Sequence, residues 1–357
     1  EPLSNGNPVD VMKQVADWQL ENPEPFDLRV EINRFLRWNY DSPRTDWTYG
    51  TFYAGVMALY AVSHDEKYFR AADQWAQHND WKPGPGPFSA DDHCVGQAYL
   101  DLYRIRKDPQ LLRPIQHTFD QIISDAGLRR DDWSWSDALF MDPPVLAGLS
   151  RATGDRRYLD FMDTRWWQAV DSLYDSDEHL FFHDQSFRTN RDGSGPREAN
   201  GKKIFWNRGN GWVLAGLIRV LRLMPADFKD RQKYEALFRE TAKSVKALQG
   251  DDGLWRPSLL DPITYSYSES SGSALFCYAL AAGMNEGLLE RTEYLPVVRK
   301  SWNGLLRCVQ RSGRLGWVGG EPNHPGNFSA DDTGRYGVGA FLLAGSEVVR
   351  LQQSVRN

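Results

Sequence analysis

Residues Phe88–Arg106 read FSADDHCVGQAYLDLYRIR, and this stretch shows the pattern that decides the fold. Two adjacent aspartates precede a run, His93–Arg106, that is rich in small residues and apolar on nearly every side. A helix that is apolar all round is buried. The next segment, Leu111–Ser124, has the spacing of an amphipathic helix with one charged face, which is typical of a surface helix. The sequence here predicts a buried helix followed by a surface helix.

The same two kinds of helix alternate along the chain, six of each, and an amphipathic one comes first. The buried kind is expected over Tyr49–Ser63, His93–Arg106, Asp137–Thr153, Gly211–Met224, Ser271–Met284 and Thr333–Val349. The amphipathic kind is expected over Val9–Glu21, Lys67–His78, Leu111–Ser124, Arg157–Leu173, Arg231–Leu248 and Tyr294–Val309. Period-2 alternation, the sign of strands, is scarce. We therefore expect an all-α fold, an (α/α)6 barrel or six-hairpin toroid, that residues 1–357 form as a single domain.

The phrase Phe-Ser-Ala-Asp-Asp occurs a second time at Phe328–Asp332, again just before a predicted inner helix. Asp is a favoured N-cap residue, and its charge suits the helix dipole. In a toroid all inner helices run the same way, so their N-terminal ends gather at one mouth. We expect both copies to cap an inner helix, and we expect Asp91 and Asp92 to face the active mouth as well.

Composition excludes several classes of function. A formal net charge of −6 argues against nucleic acid and anionic membranes as partners, because both require basic patches. No apolar run reaches the length of a membrane span. Cys94, Cys277 and Cys308 have neither a disulfide pattern nor metal-ligand spacing, so buried thiols are expected. No phosphate-binding or zinc motif occurs, and neither a metal nor a cofactor is expected. Fourteen tryptophans suit a large core and also a sugar cleft.

Reactive polar groups occur beside aromatic rings in four stretches at predicted inner-helix starts. These stretches contain Asp91, Asp92 and His93; Trp133, Trp135 and Asp137; His183; and Trp206, Arg208 and Trp212.

Asp137 has two interpretations. Apolar surroundings, here Trp133 and Trp135, disfavour the charged form of a carboxyl and raise its pKa, as a proton donor near neutral pH requires. Alternatively, Asp137 lies in a first helical turn next to a capping serine. Pro143-Pro144 adds a second question, because the helix is either kinked there or begins at Pro143.

Arg208 and His183 also have structural alternatives. A guanidinium binds a carboxylate through two parallel hydrogen bonds, and the glycines that flank Arg208 would let a substrate approach closely. A structural arginine paired with an acidic neighbour fits the spacing equally well. His183 could donate to a sugar hydroxyl or orient an aspartate, although a lone histidine is more often structural.

Four motifs together resemble glycoside hydrolase family 105, the unsaturated rhamnogalacturonyl hydrolases, which are relatives of the family 88 unsaturated glucuronyl hydrolases. The two specific motifs are WSWSDALFMDPP (Trp133–Pro144) and FWNRGNGW (Phe205–Trp212). The other two, ADDHCVGQAYLDLY (Ala90–Tyr103) and GVGAFLLAGSEV (Gly337–Val348), are shared by many toroids. The likeness runs from about Trp47 to the last inner helix.

The resemblance implies an (α/α)6 barrel and an unusual glycosidase reaction. Polysaccharide lyases leave a 4,5-unsaturated uronic acid at the non-reducing end of their products. Enzymes of these families remove that sugar by hydrating its double bond. One aspartate protonates C4 and activates the water that adds at C5, and the hemiketal then opens, so the glycosidic bond breaks without attack on the anomeric carbon.

The resemblance also implies roles for particular residues. Asp137 matches the general acid/base, and a second family aspartate falls on Asp91 or Asp92. We favour Asp91 because five positions separate it from Gly96. The matches to substrate-contacting residues are Trp135, His183, Trp206, Arg208 and Trp212, with Arg208 the partner of the uronate carboxylate. The expected partner is an unsaturated oligosaccharide.

Other functions fit the sequence less well. A sugar epimerase on the same toroid would use a histidine pair, and His93, His183 and His324 are the candidates. A polysaccharide lyase or a non-catalytic carbohydrate-binding protein are further alternatives. Asp131-Asp132-Trp133 departs from the polar pair common in the family, which leaves the preference for the aglycone and the parent polysaccharide open. The start EPLSNGNPVD favours a periplasmic or secreted protein over a cytoplasmic one, and we expect a monomer or weak homodimer.

Overall fold

The computed structural model describes residues 7–23, 44–125, 133–190, 192–320 and 328–354. Within these ranges the long helices form two sets of six. The outer set is α1 (Pro8–Glu21), α3 (Glu66–His78), α6 (Arg113–Asp125), α9 (Arg156–Leu173), α11 (Arg231–Ala247) and α13 (Arg291–Arg307). The inner set is α2 (Trp47–Ser63), α5 (Gly96–Arg106), α8 (Pro143–Thr153), α10 (Asn207–Leu223), α12 (Ser270–Asn285) and α14 (Arg335–Gln353).

Short elements complete the described chain. The four-residue helices α4 (Ala90–His93) and α7 (Ala138–Met141) precede α5 and α8. Strands β1 (Tyr174–Asp175) and β2 (Leu180–Phe181) pair antiparallel. Two 3-10 turns cover Pro109–Leu112 and Gln185–Phe187.

The inner helices form a closed ring. Contacts run from α2 to α5, then in turn to α8, α10, α12 and α14, and α14 packs back against α2. The outer helices pack behind this ring, as α3 does on α2 and α11 does on α10. The predicted (α/α)6 barrel is confirmed. That residues 1–357 form a single domain stays a prediction.

Burial follows the two helix types that the sequence distinguishes. Every residue of α12 from Ser270 to Met284 is buried, which small side chains allow because neighbours approach from all sides. The outer helix α3 instead buries one stripe, formed by Tyr68, Ala72, Trp75 and Ala76, while its other face is charged. No helix in the described part of the chain is both long and apolar enough to span a membrane.

The ring closes where two glycines bring α2 and α14 into backbone contact. A Cβ atom at Gly55 would lie 2.5 Å from the carbonyl oxygen of Gly339, and one at Gly339 would overlap the carbonyl oxygen of Thr51. Only glycine allows two helix backbones to approach this closely.

The expectation that both Ser-Ala-Asp-Asp copies cap an inner helix is wrong. Helix α4 begins after Ser89 with no side-chain capping bond, and the inner helix α5 begins only at Gly96. Helix α14 follows Gly334, and Asp332 accepts the backbone N–H of Ser329 at 2.6 Å instead. In both places the phrase forms a separate turn, because the chain bends once more before the inner helix starts.

The question raised by Pro143-Pro144 is settled in favour of a new helix. Helix α7 ends at Met141 and α8 starts at Pro143, with proline in the first turn, where its missing N–H costs nothing. Inner helices α5 and α8 are thus both preceded by a single separate helical turn.

Candidate active site

The N-terminal ends of the inner helices meet at one mouth of the ring. Tyr336 at the start of α14 has its ring centre 4.8 Å from that of Trp47 at the start of α2. The guanidinium of Arg208, in the first turn of α10, lies 5.7 Å from the centre of the same tyrosine ring. The charge of Asp137 acts on Asp91, and a Cβ atom at Gly209, next to Arg208, would lie 3.7 Å from Asp137 Oδ1. The structure therefore brings the candidate residues Arg208, Asp137 and Asp91 together from three inner-helix starts.

Asp137 lies at the start of α7, and it is held by the segment that contains His183. The backbone N–H of Ser136 donates to the carbonyl oxygen of His183 at 2.7 Å, and Trp135 forms an antiparallel bridge with Asp184. The hydroxyl of Ser136 donates to Asp137 Oδ1 at 2.9 Å. The carboxyl of Asp137 makes no capping bond to the helix that follows, so its position at the mouth is not explained by capping.

Asp92 holds the loop that precedes its helical turn. Its Oδ2 accepts the backbone N–H of Gly86 at 2.7 Å, and its carbonyl oxygen accepts that of Gly84 at 2.8 Å. A Cβ atom at Gly84 would overlap Asp92 Oδ1, so the loop packs directly on this carboxyl. These contacts assign Asp92 to the loop and leave Asp91 as the partner of Asp137.

Asp91 is the carboxyl whose environment suits proton transfer. Burial, followed by the negative charges of Asp137 and Asp92, raises its pKa to about 7. Burial and neighbouring negative charge both disfavour the ionised form, so Asp91 keeps its proton to a higher pH than an ordinary aspartate. The sequence predicts a raised pKa at Asp137, and the structure gives a raised pKa to Asp91.

His183 forms one wall of the mouth together with Trp206. Its Nδ1 lies 2.7 Å from Asp184 Oδ2, and its ring centre lies 4.8 Å from that of Trp206. Burial alone would raise the pKa of Asp184, but hydrogen bonds from Ser186 and His183 outweigh it and lower the pKa. The aspartate thus orients the imidazole, and Phe187 closes the wall behind Trp206 with ring centres 4.8 Å apart.

Arg208 lies beside Glu269, a residue that sequence reasoning missed. A Cβ atom built at Gly319 would lie 2.8 Å from Arg208 Nη1 and 3.5 Å from Glu269 Oε1. Glu269 is buried and caps α12 by accepting the N–H of Gly272 at 2.6 Å, and it also accepts from Asn207 Nδ2 at 3.0 Å. An acidic residue immediately before the run SSGSALF was the signal that could have revealed it.

Trp212 lies among other aromatic rings. Its side chain is fully buried, and its ring packs against Trp47, Phe140 and Tyr336 at centre distances of 6.0, 4.8 and 6.5 Å. The ring presents no exposed face in this structure, and substrate contact by Trp212 stays a prediction. The ring of Trp212 supports the rings of Trp47, Phe140 and Tyr336. Trp135, by contrast, is only partly buried.

Within the described ranges no group of three or more His, Cys, Asp or Glu side chains could hold a metal ion. Cys94, Cys277 and Cys308 are buried free thiols. His93 is completely buried, so it cannot reach a sugar, and His324 lies outside the described residues.

Comparison with known proteins identifies the family. Residues 11–352 match the family model described as Glycosyl Hydrolase Family 88. The chain belongs to Glycosyl Hydrolase Family 88. The resemblance to family 105 and its relative family 88 is confirmed, and this Family 88 member is a glycosidase.

Three relatives show how closely the Family 88 chain follows known proteins. It is 38% identical to an unsaturated 3S-rhamnoglycuronyl hydrolase of Formosa agariphila, over 92% of each chain. A solved structure described as a polysaccharide lyase superimposes with a TM-score of 0.86 at 32% identity, covering 97% of this chain and 98% of that one. A glycosyl hydrolase family 88 structure from Bacteroides vulgatus gives 0.83 at 28% identity, covering 98% and 99%.

Proposed function

We propose that this Family 88 glycosidase removes a 4,5-unsaturated uronic acid from the non-reducing end of polysaccharide-lyase products by hydrating the C4=C5 double bond. The observation that carries the proposal is a carboxyl pair, Asp91 and Asp137, at the same mouth as the guanidinium of Arg208. A carboxyl can donate and take back the proton in this reaction. The guanidinium of Arg208 can bind the carboxylate of the uronic acid.

The proposed chemistry assigns the first step to Asp137. Its carboxyl gives a proton to C4, and the positive charge that develops at C5 is shared with the ring oxygen. Water adds at C5 and returns a proton to the same carboxylate, which restores the acid. The C5 hemiketal opens to a ketone and frees a hydroxyl at C1, and the aglycone then leaves as an alcohol.

Asp91 keeps a proton in the site at neutral pH. With its pKa raised to about 7, it supplies a hydrogen-bond donor beside Asp137 and shares the proton of the pair. Arg208 binds the uronate carboxylate through two hydrogen bonds. His183, Trp206 and the partly exposed Trp135 form the wall against which the sugar ring lies.

The name of the Formosa agariphila relative guides the choice of aglycone. That protein is a 3S-rhamnoglycuronyl hydrolase, and this chain is 38% identical to it. We therefore propose a rhamnose next to the unsaturated uronic acid as the first substrate to test.

The first experiment follows ultraviolet absorbance with a panel of lyase-generated unsaturated oligosaccharides. The conjugated enol-uronate absorbs, and hydration removes the absorbance, so we expect a decay on at least one panel member. Asp137→Asn should slow that decay by about 10²-fold or more, because the proton donor is lost. Asp331→Asn, an exposed change in the second copy of the repeated phrase, is the matched control and should keep full activity.

A lyase is the second candidate, because one of the similar structures is described as a polysaccharide lyase. The same assay separates the two reactions. A lyase creates absorbance from an intact polymer, whereas the proposed hydrolase destroys it on short products. Binding without any change in absorbance would instead support a carbohydrate-binding protein. The epimerase alternative loses support, because His93 has no exposed surface.

Oligomeric state and location are separate proposals. We propose a monomer or weak homodimer, and a periplasmic or secreted location. Light scattering across a concentration series tests the first, and cell fractionation with the native gene tests the second.

A further inference from the structure

A fully buried acid–base pair lies next to the two proposed catalytic carboxyls. His93 Nδ1 and Asp142 Oδ1 are 2.8 Å apart, and neither side chain has any exposed surface. The indole N–H of Trp133 donates to the other carboxylate oxygen, Oδ2, at 2.9 Å. Burying such a pair is costly unless hydrogen bonds compensate, and here each oxygen of the Asp142 carboxylate has a partner.

The pair joins the two helical turns that hold Asp91 and Asp137. Helix α4 contains Asp91 and ends at His93, whereas α7 follows Asp137 and ends just before Asp142. Helices α4 and α7 pack against each other. The His93–Asp142 bond is therefore a cross-link between two turns that come from different parts of the chain.

The cross-link is built from short lengths of backbone. Asp91 lies two positions before His93, and Asp137 lies five positions before Asp142 in a turn closed by the bond from the Asp142 N–H to the Ala138 carbonyl at 3.3 Å. Little backbone lies between the His93–Asp142 bond and the carboxyls of Asp91 and Asp137. Loss of that bond should therefore displace both carboxyls. Catalytic groups lose large factors in rate when they shift by about 1 Å.

We propose that His93 and Asp142 are positioning residues, whose buried bond fixes the distance between the carboxyls of Asp91 and Asp137 and so controls the proton transfer. The proposal rests on the proposed function, because it concerns the same two carboxyls. Neither His93 nor Asp142 touches the substrate. Both act through the carboxyls that they hold in place.

Electrostatics gives the proposal a second, independent consequence. The charged groups that act on Asp91 are Asp137, Asp92, Asp142 and Asp46, and all of them raise its pKa in addition to burial. Removing the charge of Asp142 must therefore lower the pH at which Asp91 loses its proton. Variants at His93 keep the charge of Asp142, so a change of this pH in them reports a change in the distance between the carboxyls and not the lost charge.

The variants are chosen so that the protein still folds. Asp142→Asn keeps the shape and one acceptor but removes the charge. His93→Asn places an amide nitrogen near the former Nδ1, whereas His93→Leu removes the donor. Trp133→Phe removes only the second donor to Asp142, and it keeps the test open should the other variants unfold.

Steady-state kinetics across pH is the main experiment. For Asp142→Asn we expect kcat to fall about tenfold or more, with KM within about twofold of the wild-type value, because the contacts to the sugar remain. The alkaline limb of the kcat/KM profile should move to lower pH by about half a unit. His93→Asn should retain several times more activity than His93→Leu.

The matched control is Glu347→Gln, at a buried ion pair far from the mouth. Glu347 accepts from Nη1 and Nη2 of Arg222 at 2.7 Å each, near the C-terminal end of α14. This variant should lose stability without any shift in the pH profile. A folded Asp142→Asn enzyme with wild-type kcat and pH profile overturns the proposal. A shift of the pH profile in Glu347→Gln that equals the shift in Asp142→Asn also overturns it.

A measurement without substrate separates this inference from the proposed function. The difference in unfolding free energy between the wild type and Asp91→Asn, followed against pH, reports where Asp91 titrates in the folded protein. Repeating it in the Asp142→Asn background should show the change at lower pH. Absence of any hydration activity would overturn the proposed function alone. An unchanged titration of Asp91 in folded His93→Leu, which keeps the charge of Asp142 and loses the bond, would overturn the positioning role.

Discussion

Arg208 is the residue that we propose recognises the charge of the substrate. Its guanidinium lies against Tyr336 and beside the buried Glu269, so its orientation is largely fixed before a substrate arrives. A planar guanidinium binds a carboxylate at two points, and a lysine ammonium cannot reproduce this geometry. On this proposal, recognition of the uronate depends on Arg208 and on the side chains that hold its guanidinium in place.

Arg208→Lys should raise KM by about tenfold or more and lower kcat less, because one of two charge-assisted hydrogen bonds is lost. Initial rates of absorbance decay over a substrate series measure both constants. A substrate whose uronate is a methyl ester has no carboxylate. With this substrate the KM values of the wild type and of Arg208→Lys should differ much less. Arg197→Lys, an exposed change in a loop, is the control. An equal loss on ester and free acid would contradict the assignment.

Asp91→Asn should stabilise the protein at alkaline pH. The folded-state pKa of about 7 lies above the ordinary value of 3.8, so between these values the folded state binds more protons than the unfolded chain. The contribution of Asp91 to stability is then lost as pH rises through this window. At pH 8 we expect a gain of about 1–2 kcal/mol in the variant and almost none at pH 4. Urea unfolding at the two pH values checks this, and an equal gain at both would contradict it.

At the scale of elements, the loop before α4 decides where the Asp91 turn lies. The backbone N–H groups of Gly84 and Gly86 bond to Asp92, and the loop leaves no room for a side chain at Gly84. Asp92 is thus a link between loop and turn, although its sequence position suggested a second catalytic carboxyl.

Gly84→Ala should reduce kcat about tenfold, because Asp92 must move away from the new methyl group and the turn with Asp91 moves with it. The free energy of unfolding should fall by about 1–3 kcal/mol. Kinetics and urea unfolding measure the two effects. Pro85→Ala, an exposed change one position along the same loop, should leave both unchanged. Full activity in Gly84→Ala would show that the loop does not position Asp91.

The sequence was most informative about the long helices and least informative about the turns before them. Apolar and amphipathic patterns located the twelve long helices to within a few residues, but the predicted starts at His93 and Asp137 came too early. Gly96 and Pro143 marked the true starts of α5 and α8, because each follows a separate turn. A hydrophobic pattern does not reveal such a break when buried residues continue through it.

The candidate site was predicted in part for the same reason. Motifs with local signatures, around Asp137 and Arg208, pointed to residues that do lie at the mouth. The buried contact between His93 and Asp142 joins positions 49 apart in the chain, and no local pattern marks it. The motif could not show that the ring of Trp212 is buried, because a tryptophan has the same sequence signature whether its ring lies on the surface of a cleft or beneath it.

At the scale of the whole molecule, the ring depends on the contact between its first and last inner helices. Gly55 and Gly339 place backbone against backbone there, so the ring has no spare volume at its seam. The mouth depends on this seam, because Trp47 and Tyr336 belong to the two helices that meet at it.

Gly339→Ala should lower the free energy of unfolding by about 2 kcal/mol or more, since the methyl group would overlap the Thr51 carbonyl and force α2 and α14 apart. Urea unfolding measures the loss. Gly334→Ala, just before the same helix, meets only side-chain atoms, of Tyr336 at 3.0 Å and of Val318 at 3.3 Å, and should cost much less. Equal losses would show that the seam is not the sensitive point of the ring.

The seam also has a consequence for the synthesis of the protein. Helix α2 begins at Trp47 and its partner α14 begins at Arg335, which is 288 positions later in the chain. At about 5–20 residues per second, a ribosome needs roughly 14–58 s to make the intervening chain. During that interval one apolar side of α2 has no partner. The nascent chain is therefore a natural client for chaperones that shield apolar helices until the last hairpin leaves the ribosome.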